Sequence, residues 1–272
     1  MKHTRRIFSI SGLIPLFYFI MHLTLYFASS FWIVDQSKYF FWITNINKMI
    51  FGKLYIEILL IFAPLTIHVL IGLRYMIKKS YFFHLHTHYT LRKANSLQRM
   101  TAWVLLLALT LHVVQMRIIN HPQKVTIDNK EYFAVKIKPT DRIYKIADKL
   151  NVKIIKRAAL EEPKALVVHA NISSLNIIDP KITYAAAPTS ALAFLMMVIN
   201  NFQSKLMVFL YTIFVLVASF HGFNGLWMFL IYFKVLKTHS MRVNVLKLCV
   251  VLMFIFFAFG LTPIWVNFLS SV

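Results

Sequence analysis

Four of the eleven histidines, His22, His68, His112 and His221, lie inside long apolar runs, each in a different run. A polar group at membrane depth is costly and is normally kept for function. One such histidine reads most simply as a helix–helix hydrogen-bonding residue. Four on four separate helices suit paired coordination better. A six-coordinate haem iron takes one neutral imidazole on each face of its ring, so its ligands come from two helices across a bundle. Four histidines therefore make two haems, and no CxxCH site for covalent haem exists, because Cys249 is the single cysteine.

Depth along each helix, at about 1.5 Å per residue, gives the pairing. His68 and His221 fall together at an inner, cytoplasmic-side haem, and His22 and His112 at an outer one. Gly72 and Gly225 each follow a proposed inner ligand by four residues. Positions i and i+4 share a helix face, so a missing side chain there could make room for a flat porphyrin. The alternative is close helix packing by small residues. Glu57, 11 residues before His68, is the sole carboxylate inside a run. It falls roughly 16 Å outward of His68, at the outer end of its helix, where it reads equally as a candidate to exchange protons with a quinone or as a solvated helix-end residue. His84, His86 and His88 form an HxHxH run in a connection rich in aromatics, which reads more simply as a solvated loop or docking surface than as a metal site.

These residues need helices to hold them, and the composition supplies them. The 272 residues are 59% apolar and 14% charged, against about 45–50% and 25% in soluble proteins. Mean hydropathy is +0.66. An ordinary soluble domain, a disordered chain and a fibrous repeat are all excluded. A formal charge of +21 would suggest nucleic acid in a soluble chain. Here most Lys and Arg lie between apolar runs and serve as topology signals, so no nucleic-acid partner is expected.

Five runs are long enough to cross a bilayer, about 20 residues each: 8–32, 54–77, 100–116, 206–233 and 245–268. The fold class expected is an all-α membrane protein, a five-transmembrane-helix bundle with a small α/β-like extracytoplasmic insert between helices three and four. The chain divides into 1–117, the insert 118–205, and 206–272. Basic residues cluster at the N-terminus and in connections two and four, which places these on the cytoplasmic side of a bacterial inner membrane and the C-terminus outside.

The insert holds seven of the nine acidic residues. Tyr132–Lys138 partly alternates like a strand, Thr140 and Asp141 suit the start of a helix bearing Ile143, Ile146, Ala147 and Leu150, and Leu166–Val168 reads as another strand. A βαβ-like module without a catalytic constellation follows. The apolar stretch 190–201 has only about 12 residues, which suits an interfacial or re-entrant helix better than a span.

Three stretches also carry a resemblance. Helix two runs from Glu57 through Pro64 and His68 to Gly72. Helix three opens Gln98-Arg99-Met100-Thr101 and reaches His112. Helix four reads His221-Gly222-Phe223-Asn224-Gly225-Leu226-Trp227. Together they resemble the dihaem, five-helix cytochrome b membrane anchor of succinate dehydrogenase or fumarate reductase, over the five helices, roughly two-thirds of the chain. The resemblance implies the same pairing of histidines on two haem b groups. It also implies a flavoprotein and an iron–sulfur subunit on the cytoplasmic face, menaquinone as acceptor, and an electron-transfer subunit with no catalytic residues beyond a quinone site. Three departures mark this chain, the first being Ala102 after Thr101, where the family often has Gly. The insert is much longer than the family norm and inherits no role. Ser219 stands where some fumarate reductases have Glu, so a proton path through that Glu is not implied. Two other readings compete: a haem b subunit of another respiratory oxidoreductase, such as nitrate reductase or formate dehydrogenase, and a transporter with a histidine proton relay. The transporter class often shows internal repeats, and none is visible.

Overall fold

The computed structural model describes residues 2–31, 58–78, 91–127, 129–155 and 182–269. The described chain is mostly helical, and five of its helices are long and apolar enough to cross a membrane. These spans are His3–Ala28, Leu59–Ile77, Lys93–Ile119, Lys205–Tyr232 and His239–Leu269, with mean hydropathy between 1.7 and 2.5 in their most apolar stretches. Large apolar side chains stand outward on them: Phe17 is 68% exposed, Leu59 69% and Leu107 65%. Such surfaces are unfavourable in water and favourable against acyl chains. The protein is a multi-pass membrane protein.

Helix α1 runs Lys2–Phe31, and α2 runs Ala63–Lys78 after a π-helical turn at Ile58–Phe62. Helix α3 runs Leu91–Val113 and continues as a π-helical stretch, Val114–Ile119. It thus begins well before the apolar run 100–116, because Lys93 and Arg99 prolong the same helix beyond its apolar stretch. Three threonine hydroxyls in the spans return to their own backbone. Thr24 donates to the Ile20 carbonyl at 2.8 Å, Thr110 to Leu106 at 2.7 Å and Thr262 to Ala258 at 2.9 Å. In an apolar surrounding this satisfies the hydroxyl within its own helix.

One compact unit comprises residues 1–28, 51–111 and 210–263. Its contacts set the helix directions. Gly12 and Phe8 of α1 meet His68 and Gly72 of α2 in reversed order, so the two run antiparallel. Helices α6 (Lys205–Tyr232) and α7 (His239–Leu269) follow the same rule. Trp227 Nε1 donates to the Arg242 carbonyl at 2.9 Å near one end, and Gly260 lies against Val215 toward the other. Arg5 sits over the Tyr232 ring, and Leu16 lies against Gly222, so α1 and α6 are antiparallel as well. Between α3 and α6, Asn224 Nδ2 donates to the Ala94 carbonyl at 3.2 Å and Gln98 Nε2 to the His221 carbonyl at 2.9 Å. Those two helices therefore run in opposite directions. Ala94, Phe223, Trp227, Leu236 and Cys249 form a buried cluster within this unit.

The other unit comprises residues 29–50, 112–209 and 264–272. It contains strands β1 (Gln123–Ile127), β2 (Lys130–Ile137), β3 (Lys153–Ile155) and β4 (Thr183–Ala187), in the order β1-β2-β4-β3. All three pairings are antiparallel, with Val125 opposite Tyr132, Ala134 opposite Ala186, and Ile154 opposite Ala185. Helix α4 (Asp141–Lys149) joins β2 to β3 and is capped by Thr140, whose hydroxyl accepts from Ile143 N–H. Ile143 and Ala147 are its buried residues. Strands β2 and β3 are thus parallel to each other with β4 between them, a split βαβ arrangement rather than two adjacent strands. Leu166–Val168 lies outside the described residues.

Helix α5 (Ser190–Asn201) is capped by Thr189 and has the bounds expected from the sequence. It packs against β2 and β4, and nine of its residues, from Ala191 to Asn201, are buried. Its apolar character is explained by the sheet beneath it. Gln115 Nε2 donates to Asn201 Oδ1 at 2.6 Å, and the Arg142 guanidinium donates to the Asn267 carbonyl near the end of α7. Partial burial pushes the Arg142 guanidinium below its ordinary value. The carbonyl partner offsets that loss of hydration.

Candidate functional site

His68 and His221 meet. Their ring centroids are 6.4 Å apart and their planes nearly perpendicular, at 89°. Each ring is fixed by an acceptor on a third element. His68 Nδ1 lies 3.0 Å from the Phe8 carbonyl of α1. A carbonyl only accepts, so Nδ1 carries the proton and Nε2 keeps its lone pair. The Phe8 ring also stacks on the His68 ring, with centroids 4.4 Å apart and planes 7° from parallel. Gly12, one helical turn after Phe8, completes the seat. A Cβ there would lie 2.7 Å from His68 Cε1 and 2.8 Å from Nδ1.

His221 is held from α3. Its Nδ1 lies 3.2 Å from Thr101 Oγ1. The single hydroxyl proton of Thr101 is directed to backbone carbonyls, Leu97 at 2.9 Å and Gln98 at 3.1 Å. The hydroxyl oxygen is then the acceptor and His221 Nδ1–H the donor. The backbone of His221 is clamped by the same helix, since Gln98 Nε2 donates to its carbonyl and Gln98 Oε1 accepts from Asn224 Nδ2 at 2.6 Å. The stretch from His221 to Trp227 is thus an interlock. His221 and Asn224 engage α3, and Trp227 engages α7.

Comparison with known protein families, curated proteins and solved structures gives no match.

The chemistry of the pair follows from its protonation. With Nδ1 as the donor on each ring, a neutral imidazole keeps its Nε2 lone pair as a Lewis base. A hydrogen bond from the far nitrogen is the arrangement that fixes the tautomer of a metal-binding histidine and raises its basicity. The two rings meet edge to face at 6.4 Å, near enough for both to belong to one site. Two imidazoles are too few for a bare ion that takes four or more donors. Among the described residues no three His, Cys, Asp or Glu gather into such a set. A haem brings four nitrogens of its own and needs only these two.

The other residues singled out by sequence are placed as follows. His22, on α1, has Tyr18 and Tyr26 beside it, with ring centroids at 5.6 and 4.7 Å. His112 lies two residues before the π-helical stretch that ends α3. Glu57 and the histidines 84, 86 and 88 are outside the described residues. Gly72 and Gly225 correct the porphyrin-clearance idea. A Cβ on Gly72 would meet the Phe8 ring at 3.3 Å, and one on Gly225 would meet Gln98 Nε2 at 3.1 Å. Both glycines serve close packing. The glycine that touches the His68 ring is Gly12, which carries no spacing signal relative to His68 in the sequence.

Proposed function

We propose that the chain is a dihaem cytochrome b membrane anchor of the succinate dehydrogenase or fumarate reductase type. The observation that carries the reading is the His68–His221 pair, 6.4 Å apart, with both Nδ1 atoms on acceptors. On this reading His68 and His221 hold one haem b. His22 and His112 hold the second, on the strength of their depth in the sequence. Bound haem supplies one-electron transfer, here between a cytoplasmic iron–sulfur subunit with its flavoprotein and menaquinone in the bilayer. The protein's own residues do the rest. The Phe8 carbonyl and Thr101 orient the imidazoles, Gln98 and Asn224 lock α6 against α3, and the apolar spans keep water away. Glu57 is the candidate to hand protons to quinone. The N-terminus lies in the cytoplasm of a bacterium, and the insert and the C-terminus lie outside its inner membrane.

The test is the purified protein's haem content and visible spectrum. Two b-type haems per chain, reducible by succinate when the partner subunits are present, is the expected result. A colourless protein would overturn the reading and favour a transporter. Haems that succinate does not reduce would favour another respiratory oxidoreductase.

A further inference from the structure

We infer that Thr101 is a positioning residue that sets the redox poise of the inner haem through His221; this rests on the haem reading above. The two rings of the pair are supported differently. His68 leans on a backbone carbonyl, which no side-chain substitution removes, at 3.0 Å. His221 leans on a hydroxyl that is itself hydrogen-bonded to Leu97 and Gln98. A hydroxyl that donates to a carbonyl is polarised and becomes a better acceptor. Its pull on the Nδ1 proton makes the imidazole a stronger electron donor through Nε2. A stronger donor favours the oxidised iron. Removing the acceptor therefore makes that haem easier to reduce.

Thr101 is suited to the task by its place. It sits one turn after Gln98, which holds the His221 backbone from the same helix face. Ring and backbone of His221 are thus referenced to one element, and the Nδ1–Oγ1 contact at 3.2 Å does not depend on a mobile side chain. Thr101 does not touch the iron and acts only through His221.

The experiment measures the midpoint potentials of both haems in the wild-type complex and in T101V, T101A and T101S. Valine keeps the shape and alanine does not, and both remove the oxygen, whereas serine keeps it. T101V and T101A should shift the reduction equilibrium of one haem about fivefold toward the reduced form. At 59 mV per tenfold for one electron this is about 40 mV upward. The other haem should not move, and T101S should stay within about twofold of wild type. Loss of one haem in T101V and T101A, with retention and an unshifted potential in T101S, also supports the assignment. Unshifted potentials in T101V and T101A with both haems bound would overturn it. An equal shift in T101S would overturn it too, since packing alone would then be responsible. A wild-type protein with no haem would instead overturn the proposed function, which keeps the two failures apart.

Discussion

Gly12→Ala offers a direct test of how His68 is seated. The added Cβ would stand 2.7 Å from Cε1 and 2.8 Å from Nδ1 of the imidazole, where ordinary contact begins near 3.4 Å. The ring has to retreat by more than half an ångström, yet Phe8 stacks on it at 4.4 Å and holds Nδ1 through its carbonyl at 3.0 Å. Overpacking of this kind costs about 1–3 kcal/mol. Stretching or losing the hydrogen bond adds about 1 kcal/mol. The sum is about 2–4 kcal/mol, and at about 1.4 kcal/mol per tenfold the affinity for a group held by His68 should fall by roughly 30- to 700-fold. The assay is haem transfer from the purified protein to an excess of apomyoglobin, followed by difference spectra. One of two haems should leave faster in G12A and the other should be unaffected. Gly222→Ala is the control. Its Cβ would meet only the Leu16 Cδ1 atom, also at 2.7 Å, and the end of a leucine side chain can turn away. Wild-type retention of both haems in G12A, with unshifted spectra, would refute the argument that Gly12 is small because His68 needs the space.

His68→Ala and His221→Ala should each remove the same spectroscopic haem, and His22→Ala and His112→Ala the other; optical and EPR spectra of the four single variants decide the pairing. Glu57→Gln should slow quinone reduction while leaving both haem spectra intact, and unchanged turnover with a menaquinone analogue would assign the residue to the helix end alone. Reporter fusions after Leu269 should read as outside and fusions near residue 85 as inside; cytoplasmic signals at both places would contradict the antiparallel course of α3 and α6.

The spans were legible because a bilayer asks for a simple thing, about 20 apolar residues in a row, and five helices meet that demand. The helix at Asp141–Lys149 was legible from Thr140 and from the spacing of Ile143 and Ala147. The bounds of α5 were legible but its surroundings were not, because an apolar helix of 12 residues looks the same whether lipid or a sheet covers it. Its packing on β2 and β4 shows the sheet beneath it. The sheet order was hidden for a related reason, since β4 enters between two strands that precede it in sequence. At the site, residue type and depth singled out the histidines. Their supports were harder to see. The Phe8 contribution is a backbone carbonyl, which has no sequence signature, and Gly12 matters only through a ring 56 positions later.

The distance along the chain between His68 and His221 has a consequence for biosynthesis. On the proposed topology, the ribosome completes α2 long before α6 exists, and the whole insert has to be exported in between. During that interval His68 stands against Phe8 and Gly12 with no opposing imidazole. On the proposed haem reading, stable capture of haem would wait until α6 has inserted and α3 has locked it through Gln98 and Asn224. Pigment loading would then be a late checkpoint on membrane integration. A chain truncated within the insert would carry the first ligand of the inner site and remain pale.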